Sequence, residues 1–110
     1  MKYNIHNIEG NIVKKNETYT VIDNTDLDGL VLSKTILHPM KATTGHSHAG
    51  QEEVYTFTYG KGMMEVGDRQ YFVQTGDIVL IPDGAFHRVS NISELEDLTF
   101  VCVFDGKRNH

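Results

Sequence analysis
The sequence predicts an all-β fold, a β-sandwich or closed barrel of about eight short strands. Turn-forming residues recur at short intervals, at Asn24-Thr25-Asp26, Asp28-Gly29, Gly45, Gly50, Gly60, Gly62, Gly67-Asp68, Gly76-Asp77, Pro82-Asp83-Gly84 and Asp105-Gly106. The runs between them are rich in Val, Ile, Thr, Tyr and Phe. Helical periodicity is weak everywhere; only Ser93–Asp97 has room for a short turn, and it reads as a loop. Closing such strands into a barrel removes the edges they would otherwise expose.

The strands are expected in this order. Tyr19–Asp23 stops at the Asn24 turn, and Leu30–Leu37 starts after Asp28-Gly29. Glu53–Tyr59 follows the bend at Ala49-Gly50-Gln51; Glu53, Tyr55, Phe57 and Tyr59 share one face, expected to line the barrel, and Val54, Thr56 and Thr58 share the other. Met63–Val66 and Gln70–Gln74 form a hairpin with Gly67-Asp68 at its tip. Gly76-Asp77 leads into Ile78–Ile81, whose unbroken apolar character predicts burial on both faces. Ala85–Val89 leaves the Pro82–Gly84 turn, and Leu98–Phe104 ends the barrel.

Length and charge narrow the function. A chain of 110 residues fits one domain, here with its core at about 30–104. The net charge of −5 has no Lys/Arg cluster against it, which argues against nucleic-acid binding. No apolar run approaches a membrane span, and the start lacks a signal-peptide core, so a cytoplasmic protein is expected. Cys102 is the sole cysteine, which excludes an intrachain disulfide.

The chemistry concentrates in two segments. In Gly45-His46-Ser47-His48 the histidines stand at i and i+2, so on an extended chain both imidazoles point the same way and suit a transition metal. Glu53 can swing back to the same point after the Gly50 bend, while Glu52, one position off, faces away. Taken alone, the pair also reads as two loop histidines and Glu53 as a solvated charge. The second segment is more specific. Gly76, Pro82, Gly84, His87 and Asn91 follow Gly-x5-Pro-x-Gly-x2-His-x3-Asn, a chance match on the order of 10⁻⁷ per starting position. Pro82 and Gly84 make a tight turn that delivers His87 inward, and Asn91 lies on the same face within reach of a loop.

Together the segments resemble the two motifs of the cupin superfamily. The first motif, Gly-x5-His-x-His-x(3,4)-Glu-x6-Gly, is matched by His46, His48, Glu53 and Gly60, with Met40 where the leading glycine belongs. The second is matched throughout, and the fifteen residues Lys61–Thr75 separate the two. The resemblance implies a double-stranded β-helix, or jelly-roll barrel, with one divalent transition metal ion (Fe, Mn, Ni or Zn) held by His46, His48, Glu53 and His87. It also implies a homodimer, with N-terminal strands at about 3–23, Tyr3–Ile8 and Tyr19–Asp23 among them, pairing with the partner's sheet.

Such a centre suits a small oxygen-rich molecule. The leading expectation is a metal-dependent isomerase, epimerase or ring-opening enzyme for a sugar, sugar phosphate or uronate. An iron dioxygenase and a non-catalytic ligand-binding module are the alternatives. Tyr55 and Cys102 are candidates for proton transfer, although a lone Cys in Phe100–Phe104 also reads as a small core residue. Tyr59, Phe57, Phe104 and Arg108 are candidates for substrate contact.

Overall fold
The computed structural model describes residues 1–106. Nine strands are assigned: β1 (Asn11–Lys15), β2 (Tyr19–Asn24), β3 (Leu30–Leu37), β4 (Glu53–Tyr59), β5 (Lys61–Val66), β6 (Arg69–Gln74), β7 (Ile78–Ile81), β8 (His87–Asn91) and β9 (Leu98–Asp105). They form a six-stranded sheet, β1-β2-β3-β9-β4-β7, facing a three-stranded sheet, β6-β5-β8, with every pairing antiparallel. No helix occurs among the described residues. None is therefore long and apolar enough to cross a membrane.

The core fills the space between the sheets. Alternation along β9 turns Leu98, Phe100, Cys102 and Phe104 inward, where they meet Tyr55 and Phe57 of β4 and Met64, Val73 and Val89 of the facing sheet. Phe57 and Phe100 lie with ring centroids 5.4 Å apart, and both are fully buried. Asn91 is buried at the far end, as its motif position predicts. Its amide donates to the carbonyls of Leu37 and Glu96 at 3.0 and 2.8 Å and accepts from Ser93 N–H, tying the 91–98 loop to both sheets.

Four expectations are corrected. β8 starts two residues later than predicted, because Pro82–Ala85 closes as a turn (Ala85 N–H to Pro82 O, 3.0 Å) and pairing with β5 begins only at His87. Ile78–Ile81 is not buried on both faces: β7 is an edge strand, with Val79 and Ile81 inward and Ile78 and Leu80 63% and 68% exposed. Tyr59 leaves the inward face. A register shift between Phe57 and Tyr59 buries Thr58, whose hydroxyl donates to Thr99 O at 3.3 Å, and turns Tyr59 outward to Glu96. Gly60 makes this possible with φ +85°, its Cα against the Asp97 carbonyl, where a Cβ would collide at 2.3 Å. Finally, Tyr3–Ile8 forms a turn closed by Asn7 N–H to Asn4 O, and β2 already pairs on both sides within its own chain. Within about 3–23 the open strand edge among the described residues therefore lies on β1, exposed along its length and without alternation, rather than on Tyr3–Ile8 or β2.

Candidate metal centre
The site forms where a segment flanking β8 meets the start of β4. Residues 41–46 run antiparallel to β8, through Asn91 N–H to Lys41 O (2.8 Å) and Thr43 N–H to Val89 O (2.9 Å). His46 and His87 then exchange both backbone hydrogen bonds, at 3.2 and 3.0 Å. Directly paired residues project to the same face, and the two imidazoles lie with centroids 4.4 Å apart. The Pro82–Ala85 turn, with Gly84 at φ +75°, delivers His87. The Asp83 carboxylate accepts from Gly50 N–H, so the two bends that carry the site are tied to each other.

Glu53 enters from the opposite sheet. It is 3% exposed, and its Oε2 lies 2.8 Å from His87 Nε2. A carboxylate this buried requires a close positive charge. Glu52 is exposed, as the register predicts.

The imidazoles are set by their backbone partners. His46 Nδ1 is 3.2 Å from Thr44 O, and His87 Nδ1 is 3.1 Å from Ala85 O. Carbonyls only accept, so each Nδ1 carries the proton; His46 Nε2 then presents its lone pair, whereas His87 Nε2 donates to Glu53 and would ligate an ion only on losing that proton. Burial, and then the neighbouring His87, hold the His46 pKa down. Burial also depresses His87, but its hydrogen bond to Glu53, the Ala85 carbonyl and the Glu53 charge outweigh that, and its pKa is raised. One donor atom from each of His46, Glu53 and His87 lies within 4.8 Å of the others. An ion with bonds of about 2.1 Å holds its ligand atoms roughly 3–4 Å apart, so a small contraction closes the set. Two imidazoles and a carboxylate, with the His87 proton displaced, fit a divalent transition metal ion.

His48 stands beside this trio. Its ring centroid is 4.8 Å from that of His46, tilted by 55°, and the side chain is half-buried. Its donor atoms lie outside the group of three. Tyr55 packs between Phe100 (5.2 Å, stacked) and the His87 ring (5.7 Å, edge-on) and is hydrogen-bonded to Cys102. Burial, then the neighbouring Cys102 and Glu53, holds the Tyr55 hydroxyl well above its usual range. Burial and Glu53 likewise push the Cys102 thiol up, so both stay protonated at neutral pH.

A cavity of about 600 Å³ opens beside the trio. His46 and His48 line it beside the trio; Tyr55, Phe100, Cys102 and Phe104 line it from β4 and β9, and Tyr19, Val21, Asp23, Ser33 and Thr35 continue the same sheet through β2 and β3. Phe104 and Cys102 thus face the cavity. Phe57 does not line it and is a core residue packed on Tyr55 and Phe100. Tyr59 lies outside it, on the molecular surface, and Arg108 lies outside the described residues. The β2–β3 part of the lining was missed by sequence reasoning. Its signal was there: Tyr19, Val21 and Asp23 share a strand face, and a carboxylate in line with two apolar side chains marks a position that is more than solvated.

Two facing antiparallel sheets with a histidine–carboxylate cluster at one end define a metal-suited double-stranded β-helix. The chain belongs to the cupin family, whose domain model matches residues 34–104. It is 27% identical over 73 residues to the uncharacterized protein MJ1618 of Methanocaldococcus jannaschii, a match that covers 66% of this chain and 58% of that protein. The fold matches the cupin-2 domain protein Rru_A2000 of Rhodospirillum rubrum with a TM-score of 0.78 at 19% identity, over all of this chain and 77% of the other. It also matches the oxalate decarboxylase–formate complex of Lactobacillus farciminis with a TM-score of 0.75 at 25% identity, over 83% of this chain and 30% of that one.

Proposed function
We propose that the chain is a metal-dependent enzyme acting on a small oxygen-rich molecule, a sugar, sugar phosphate or uronate, by isomerase, epimerase or ring-opening chemistry. One observation carries most of this. Two histidines whose Nδ1 atoms are engaged by carbonyls surround a buried carboxylate at the edge of a 600 Å³ cavity. His48 completes the ligand set from its place beside His46. A divalent ion with one anionic ligand keeps net positive charge and favours an anionic substrate oxygen. When bound, such an ion supplies Lewis acidity toward that oxygen. The L. farciminis oxalate decarboxylase was solved with formate, which supports a carboxylate as the group received.

The chain's own residues supply the rest. Phe100 and Phe104 offer apolar faces and exclude water. Tyr55 and Cys102, held protonated, enter as proton donors rather than bases. The domain acts as a homodimer in the cytoplasm.

The test is metal content of the untagged protein by mass spectrometry. About one equivalent per chain is expected, lost in His87→Ala and Glu53→Gln and kept in Glu52→Gln. Full occupancy in His87→Ala and Glu53→Gln overturns the assignment. Iron together with oxygen uptake replaces the isomerase reading with a dioxygenase.

A further inference from the structure
The β2–β3 end of the cavity lining has no role in the chemistry above, yet it is built. Asp23 and Ser33 face each other across β2 and β3, and the Ser33 hydroxyl donates to Asp23 Oδ1 at 2.6 Å. The same row continues through Cys102 on β9 to Tyr55 on β4. Asp23 therefore stands in register with the residue that abuts His87, three strands away, or roughly 14 Å along the curved sheet. Its carboxylate faces the cavity, and among the described residues no Lys, Arg or His nitrogen lies within 4.0 Å of it. Asp23 is half-buried and lines the cavity, so its carboxylate is open to a molecule that enters there.

Ser33 orients Oδ1 and leaves Oδ2 to accept. The donor it suits is a hydroxyl: Thr35, Thr43 and Thr44 give the same cavity further hydroxyls, and Lys14, which also lines it, disfavours a cationic group. We propose that Asp23, oriented by Ser33, is a specificity-determining residue. It accepts a hydrogen bond from a hydroxyl of a polyhydroxylated carboxylate whose acid end lies at His46, Glu53 and His87. The inference rests on the metal-centre reading and adds the second anchor of the ligand.

The test compares two acids of equal chain length, D-gluconate and hexanoate, titrated calorimetrically into metal-loaded protein. Wild type is expected to prefer gluconate. Asp23→Ala is expected to weaken gluconate about tenfold and leave hexanoate within twofold, with metal content and melting temperature unchanged. Asp23→Asn keeps the shape and guards against misfolding; it is expected to lose several-fold. Unchanged gluconate affinity in both variants overturns the role of Asp23 and leaves the metal centre standing. Failure of both acids to bind metal-loaded wild type overturns this inference and the carboxylate-receiving role of the centre, whereas absence of metal from the protein overturns the metal-centre reading itself.

Discussion
Met40 occupies the place where the family pattern has glycine, and its backbone has φ +62°. That region costs an L residue roughly 1–2 kcal/mol. The N–H of Met40 is held by Ser93 O at 3.0 Å, so the conformation is fixed, while the side chain is largely exposed and contributes little packing. Met40→Gly is expected to stabilise the protein by about 0.5–1 kcal/mol, after the part that glycine returns through the unfolded chain. An unchanged or lower urea midpoint contradicts this. Cys102 gives a pH prediction at the same scale. The thiolate is the reactive form, and the raised pKa withholds it. An ordinary thiol reacts faster with iodoacetamide as pH rises from 7 to 9; native Cys102 is expected to stay unreacted across that range and to react at once in denaturant. Rapid native alkylation at pH 8 shows the thiol to be accessible and ionised.

Elements hold the site by their ends, and Asn91 is the clearest case. Its amide satisfies two loop and strand carbonyls in a buried setting. Asn91→Ala is expected to cost about 2–3 kcal/mol in chemical denaturation, without lowering the metal content of the folded fraction. Loss of metal at unchanged stability contradicts this. The same motif marks how far the sequence is legible. Glycine, proline and histidine at fixed offsets announce a turn and an inward ligand, because each position has a backbone reason. The ends of β3, β4 and β7 follow from turn residues in the same way. β1 was missed because its side chains are all exposed and carry no alternation. Tyr59 was misplaced because a bulge at Thr58 reverses the faces, and nothing in Thr56-Phe57-Thr58 signals one. The Asp23 wall stayed hidden because its partner Ser33 is distant in the chain and found only through strand order.

The whole molecule shows what the barrel presents outward. On the outer face of the six-stranded sheet, Leu32, Val103, Val54 and Leu80 stand in one cross-strand row, with Ile78 beside it and Leu30 near its end. Leu80, Ile78 and Leu30 are each at least half exposed. A contiguous uncharged row of this kind suits the same face of a second copy, related by a two-fold axis. Light scattering is expected to give a dimer, and Val54→Glu with Leu80→Glu a folded monomer. A wild-type monomer at high micromolar concentration removes the dimer from the proposal.

His46 and His87 reach each other only through the ladder between residues 41–46 and β8, and Glu53 reaches them only across the two sheets. An unfolded chain offers an ion no such trio. An ion held by all three would thus bind the finished barrel far better than the open chain, and each tenfold of free ion above its dissociation constant would add up to about 1.4 kcal/mol to the folded state. The lifetime of a metal-loaded protein would then be set in part by the metal supply of the cell that makes it.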